Sequence, residues 1–160
     1  MAFLAQAAPS PIPTKPGKFS PPLRAGAVIG GQADQEFSLI GVESNSIKQG
    51  ERITIAYGDF AGRPVKGQPG FFHAVIDRES KRVVIDLSQV SKTRIDAAAL
   101  RKVFARSKFV SSTDMTMDPH DGSTNITLEL KSPVVLLATT DPRKNGQVVL
   151  ELRPVAGVRR

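Results

Sequence analysis

Two histidines are the only side chains of this 160-residue sequence that normally titrate near neutral pH. His73 lies in "FFHAVID", where it alternates with apolar residues, and His120 lies in "MTMDPHDG". A hydrolytic site needs a base, a nucleophile and an orienting group in a defined relation. Neither histidine has such neighbours, and the chain contains no cysteine. The sequence therefore predicts no catalytic residue.

A metal site is the next chemistry to consider, because Met115, Met117 and His120 are ligand types that copper accepts. Three acids flank them: Asp114, Asp118 and Asp121. Two methionines two positions apart on a strand point the same way, and we expect them to face the core. The piece "DPHDG" is typical of a turn. We therefore predict no metal and no other cofactor.

The clearest chemical signal is positive charge between residues 92 and 108. This segment has six bases and one acid, Asp96, so it contributes +5 to a formal net charge of +7. Such a cluster suits carboxylates, phosphates or an acidic protein, whereas the simpler interpretation is a solvated helix face. The bases are Lys92, Arg94, Arg101, Lys102, Arg106 and Lys108.

The element that must position these bases is the one predicted helix, "RIDAAALRKVFARS". Asp96 suits its N-cap, and Ile95 is placed to pack on Leu100. The helix then has an apolar stripe of Leu100, Val103 and Phe104, which leaves its bases toward water.

The rest of the chain predicts short strands. In "ERITIAY" the side chains of Ile53 and Ile55 share one face, and in "KRVVIDL" those of Val83, Ile85 and Leu87 do so. Each strand buries one side only, so two sheets must pack face to face. We predict an all-β fold, a two-sheet β-sandwich with one short crossover helix.

The pattern occurs twice, as "KRVVIDLSQV" at 81–90 and "GQVVLELRPV" at 146–155. We predict a pseudo-symmetric pair of related β-units sharing one core, with an eight-residue insertion in "GDFAGRPVKGQPG" of the first unit. The proposed equivalent pairs are Phe37 with Phe109, Ile53 with Ile126, and Leu87 with Leu152.

Residues 1–36 carry six prolines, which predict a flexible arm outside the core. Within it, Ala5-Gln6-Ala7 has the small-x-small pattern of a signal-peptidase site, consistent with the tail of a truncated export signal. The alternative is an N-terminus with no targeting meaning. The domain then covers residues 37–154, and residues 155–160 form a basic tail.

Four pieces, "ERITIAY", "KRVVIDL", "STNITLELKSPV" and "GQVVLEL", follow each other in the order and spacing of a known family. Over about residues 37–154 the chain resembles the AMIN domain, which occurs in bacterial cell envelopes on amidases and outer-membrane secretins. The resemblance implies a non-catalytic periplasmic domain that localises or anchors envelope machinery by binding peptidoglycan.

The resemblance also matches individual residues. Arg52 and Arg82 correspond to the family's strand arginines, and Asp86 with Glu151 to its acids; Asn125 stands where an arginine is usual. The simpler interpretation is that these side chains are the solvated faces of half-buried strands. The predicted ligand-binding residues are Arg52, Arg82, Lys92, Arg94, Arg101, Lys102 and Arg106.

Two further functions remain for comparison. A protein-interaction scaffold of a pilus, secretin or motility complex could use exposed strand edges of the same fold. Nucleic-acid binding is disfavoured, because stacking platforms need exposed aromatic residues and the chain has no Trp and one Tyr. No apolar run approaches the ~20 residues of a membrane helix, so no membrane insertion is predicted.

Overall fold

The computed structural model describes residues 10–33, 35–77, 81–141, 143 and 146–155. Strands from both halves of the chain form two sheets, and the alternating apolar residues of each sheet face the other. The all-β two-sheet sandwich with one short helix is confirmed.

The larger sheet has six strands. In spatial order they are β1 (Ile12–Pro13), β2 (Gly26–Gly30), β5 (Phe72–Asp77), β6 (Arg82–Leu87), β9 (Thr124–Leu130) and β8 (Val110–Met117). The smaller sheet has five strands. Their order is β10 (Val134–Asp141), β11 (Gln147–Pro154), β4 (Gly50–Gly58), β3 (Phe37–Ile47) and β7 (Val90–Thr93).

The core lies between the sheets and is made of the residues that alternation predicted. Ile53, Ile55, Val83, Ile85 and Leu87 are all 1% exposed or less. This burial is the main contribution to folding, at about 1.5–3 kcal/mol for each large apolar side chain.

The two halves are related by a pseudo-twofold arrangement. In the first half, hairpin β3–β4 lies in the small sheet and the next hairpin, β5–β6, lies in the large sheet. In the second half the order is reversed, since hairpin β8–β9 lies in the large sheet and β10–β11 lies in the small one. The halves meet through the pairs β4–β11 and β6–β9. Ile53 pairs with Leu150, and Ile126 pairs with Ile85. The predicted pair of related β-units is confirmed.

A β-bulge recurs at the same place in both units, between Leu39 and Gly41 and between Val110 and Ser112. The ladders make Leu39 equivalent to Val110, so Phe109 corresponds to Ser38 and the predicted match of Phe37 with Phe109 is wrong by one residue. The insertion lies where we predicted it. Residues 59–71 connect β4 to β5, whereas residues 131–133 make the equivalent connection from β9 to β10.

The N-terminal segment differs from the prediction. Strand β2 pairs with β5, and Val28 is fully buried, so residues 12–30 belong to the domain. The backbone N–H groups of Ser20 and Leu23 donate to Ala138 and Leu136 of β10, at 2.8 and 2.9 Å. The arm prediction is wrong here because proline removes only its own donor, and edge positions tolerate it. Residues 1–9 and 156–160 lie outside the described residues.

Helix α1 (Ala97–Val103) is shorter than the predicted segment. Its N-cap is confirmed, since the Asp96 carboxylate accepts from the Ala99 N–H at 2.7 Å. Leu100 is fully buried and Phe104 is 5% exposed, so the predicted stripe faces the core. The helix contacts β8 and β3, and it therefore closes the side of the sandwich at which β7 and β8 form the edges.

Candidate functional site

The bases of residues 92–108 are spread along the side of the sandwich at which β7 and α1 lie, from the first residues of β3 to the β3–β4 hairpin. We call them the basic edge. All six are exposed, and in the described part of the chain no carboxylate oxygen lies within 4.0 Å of any of their nitrogens. The basic edge comprises Lys92, Arg94, Arg101, Lys102, Arg106 and Lys108.

The two bases nearest β7 are held by the β4–β5 connection. The Lys92 Nζ lies 3.6 Å from the ring centroid of Phe60, which is 59% exposed. Arg94 packs against the backbone of Gly62, where an added Cβ would clash with the Arg94 guanidinium. The insertion of the first unit thus orients two cations before any ligand arrives.

The other bases follow from the orientation of α1. Arg101 and Lys102 occupy its last turn, outside the face that buries Leu100, where they also interact favourably with the carbonyl end of the helix. Arg101 borders a groove beside β8 that also includes Lys131. Arg106 and Lys108 follow the helix and border a separate cleft next to the β3–β4 hairpin.

The two strand arginines lie elsewhere. Arg52 is on the outer face of the small sheet and Arg82 on the outer face of the large sheet, so they point to opposite sides of the sandwich. Each is ion-paired: Arg52 Nη2 lies 3.1 Å from Glu151 Oε1, and Arg82 Nε lies 2.7 Å from Glu129 Oε1. The structure brings neither arginine to the basic edge.

Glu151 and Asp86 occupy equivalent places in the two units. The side chain of Glu151 is 2% exposed and accepts from Arg52 and Arg153. Asp86 instead pairs in register with Asn125, and its Oδ1 is buried without a hydrogen-bond partner among the described residues. Burial raises the pKa of the Asp86 carboxyl above its ordinary value, although His73 across the ladder opposes this. Asn125, which has the place of Arg52 in the second unit, cannot form the ion pair that Arg52 forms.

The methionine and histidine segment gives no ligand cluster. Met115 packs partly against the core, but Met117 is 50% exposed, so the prediction that both face the core is wrong for Met117. The turn is confirmed by the Gly122 N–H, which donates to the Asp118 carbonyl at 2.8 Å, with Gly122 at φ +71°. The described residues contain no group of three or more His, Cys, Asp or Glu side chains that could hold a metal ion.

One polar residue was missed at the sequence level. Glu51 is only 5% exposed, and its carboxylate accepts from the hydroxyls of Ser44 and Ser107, the latter at 2.6 Å. The sequence contained a signal for this position, because Glu51 lies two residues before Ile53 on the same strand. Its side chain therefore points to the core-facing side of "ERITIAY". A charged residue on that side marks a special position.

Among the described residues there is no helix whose length and apolar character would let it cross a membrane. Comparison of the chain with protein-family models, with curated proteins and with solved structures gives no match.

Proposed function

We propose that this protein is a non-catalytic binding module of the bacterial cell envelope, which uses its basic edge to hold an anionic polymer, foremost peptidoglycan. The observation that carries this proposal is the set of six exposed cations on one side of the molecule, none of which has a carboxylate partner among the described residues. The resemblance to AMIN domains supports the periplasm as the location and peptidoglycan as the ligand.

The contrast with the strand arginines supports the choice of surface. Arg52 and Arg82 already share their charge with Glu151 and Glu129. A ligand carboxylate there would compete with a protein carboxylate that is already paired, whereas no described carboxylate oxygen lies within 4.0 Å of a nitrogen of the basic edge. Arginine adds paired hydrogen bonds to a carboxylate or phosphate.

Each exposed contact is weak on its own, at about 0–1 kcal/mol. A polymer offers many anionic groups at once, and linked contacts raise the overall affinity well above that of one contact. We therefore expect binding that depends on ionic strength and on polymer length.

Co-sedimentation with purified cell-wall sacculi at physiological salt tests the proposal. We expect the wild-type protein in the pellet and about tenfold weaker retention for Arg101→Glu/Lys102→Glu. The matched control is Lys15→Glu/Lys18→Glu, which makes the same charge change at exposed positions of the N-terminal segment. Retention of wild-type protein in the supernatant at every salt concentration, or equal losses for both variants, contradicts direct wall binding through this surface.

A second candidate function is a protein-interaction scaffold of a pilus, secretin or motility complex. Strand β8 pairs only with β9 among the described strands, and α1 lies beside its first residues. The outer edge of β8 beyond α1 could therefore pair with an added strand. The exposed Met117 lies at the end of that edge. This function predicts a complex with an envelope protein that is lost on Met117→Asp and is unaffected by Arg101→Glu/Lys102→Glu, together with no retention by sacculi.

A further inference from the structure

The cleft between the β3–β4 hairpin and the turn after α1 contains a buried carboxylate, that of Glu51. Its lining includes Ser44 and Ser107 near the carboxylate and Arg106 with Lys108 at the rim. Glu51 is 5% exposed, and within the described ranges no Lys, Arg or His nitrogen lies within 4.0 Å of its oxygens. The cleft therefore contains a buried carboxylate that has no cationic partner among the described residues.

Such a group is costly unless something compensates it, because a buried carboxylate loses its hydration. Ser44 and Ser107 each donate one hydrogen bond, one to each oxygen. A carboxylate has about four acceptor positions, so about two remain for a ligand in the cleft. The ligand group that satisfies them best is a cationic donor with several N–H bonds, which is an ammonium group.

The rim has the opposite charge. Arg106 and Lys108 are exposed and border the same cleft, so an anionic group above the Glu51 carboxylate meets two cations. A negative floor below a positive rim complements a ligand that carries an ammonium and a carboxylate close together. The cavity of about 170 Å³ corresponds to roughly six waters at ~30 Å³ each, room for an amino-acid group but less than a drug-sized pocket of ~300 Å³ or more.

We propose that this cleft is a binding site for a zwitterionic amino-acid group, with its ammonium on Glu51 and its carboxylate on Arg106 and Lys108. The inference rests on the proposed function, since within the cell wall such groups occur at the free ends of peptide side chains. The basic edge then gives attraction along the polymer, and the cleft recognises one kind of peptide end.

The test uses the full chain and 2,6-diaminopimelic acid, an amino acid with two ammonium and two carboxylate groups, in a calorimetric titration. We expect saturable binding to the wild-type protein, and about 10- to 100-fold weaker binding to Glu51→Gln, because a charge-assisted hydrogen bond is lost. The amide that replaces the carboxylate in this variant has nearly the same shape, so the fold is retained. The matched control Glu43→Gln, which removes an exposed carboxylate of β3, should bind as the wild type does.

A second probe needs no variant. The N,N′-diacetyl derivative of the acid keeps the carboxylates but has no ammonium, and we expect the wild-type protein to bind it about as weakly as Glu51→Gln binds the parent acid. Equal affinity for the two probes, equal affinity of wild type and Glu51→Gln, or no binding of the acid overturns the inference. Retention of the wild-type protein on sacculi is measured in parallel. If the protein is retained on sacculi but does not bind 2,6-diaminopimelic acid, only the proposal for the cleft is refuted. If the wild-type protein is not retained on sacculi, the proposed function is refuted.

Discussion

Asp86 and Glu151 show how two equivalent residues acquire opposite environments. Glu151 is almost fully covered, yet it receives hydrogen bonds from Arg52 and Arg153, which offset much of the cost of its burial. Asp86 is only partly covered, but one oxygen has no partner among the residues that the structure describes. The residue across the ladder from each acid decides the difference, because Arg52 is charged and Asn125 is not.

We expect Asp86→Asn to stabilise the protein at pH 7. The pKa of Asp86 is raised above 3.8 in the folded state, so its charged form is disfavoured by folding. The penalty is fully present above the raised pKa, and it disappears as the pH falls through that pKa to 3.8 and below. Urea denaturation should show a gain of about 0.5–1 kcal/mol at pH 7, small because the side chain is partly exposed, and no gain below pH 3.8.

Asp59→Asn provides a control of opposite sign. The hydrogen bond from the Arg63 backbone N–H lowers the pKa of Asp59, so its charged form is favoured by folding. This substitution should destabilise the protein at pH 7, and the loss should disappear as the pH falls through the lowered pKa. A gain for Asp86→Asn that is independent of pH would show that titration of Asp86 has no part in it.

At the scale of elements, the N-terminal segment stabilises an edge of each sheet. Strand β2 covers β5 in the large sheet, and the preceding residues bond the outer edge of β10 in the small one. Ser20 takes part twice, because its N–H donates to the Ala138 carbonyl and its hydroxyl oxygen accepts from the Ala138 N–H at 3.0 Å. An uncovered edge strand is a template for association with another chain.

Deletion of residues 1–25 should therefore leave β2 in place, but it should expose β10 and, because β1 is removed, the outer edge of β2. Four backbone hydrogen bonds between residues 17–23 and β10 are lost, at roughly 1 kcal/mol each, so we expect the free energy of unfolding to fall by about 2–5 kcal/mol. Size-exclusion chromatography should show association that grows with concentration. Deletion of residues 1–9 is the control and should change neither quantity; a monomeric 26–160 chain of full stability would contradict this role of the segment.

The elements also show which features sequence patterns can predict. Alternation identified β4, β6, β9 and β11, because each buries one face only. Alternation did not identify β1 and β2, because the surrounding sequence is rich in proline and predicted a segment outside the core. The remaining backbone N–H groups of that segment nevertheless form hydrogen bonds to the sheets. The predicted match of Phe37 with Phe109 was one residue out of register because it rested on residue type alone, whereas the ladders place Leu39 opposite Tyr57 and Val110 opposite the equivalent Leu130.

The candidate site was predictable in part. The density of basic residues indicated the basic edge. The predicted N-cap at Asp96 fixed the register of the helix, and from that register the exposure of Arg101 and Lys102 was predicted correctly. Arg52 and Glu151 are 99 residues apart in the sequence, so no local sequence pattern could predict that they pair. The cleft at Glu51 depends on Ser107, which approaches only after α1 has folded back onto β3.

At the scale of the whole molecule, neither half completes a sheet. Strand β4 of the first half pairs with β11 of the second, and β6 pairs with β9. The halves share a single core, so separating them exposes the inner faces of four central strands. The chain is therefore one cooperative unit in spite of its internal repeat.

Two fragments, residues 1–93 and 94–160, test this cooperativity. Each alone should lack a cooperative unfolding transition in circular dichroism, because its apolar face has no partner. An equimolar mixture should regain the β-sheet spectrum and a thermal transition. A cooperative transition in either fragment alone would show that a single unit suffices for folding.

The pairing between halves also has a consequence for crowded solutions. A second copy of the chain offers the same partner strands, so two molecules can exchange halves through the short segment between β7 and α1. The product of such domain swapping keeps every core contact of the monomer. It also joins two cationic surfaces in one particle, which doubles the number of attachment points available to a polyanion.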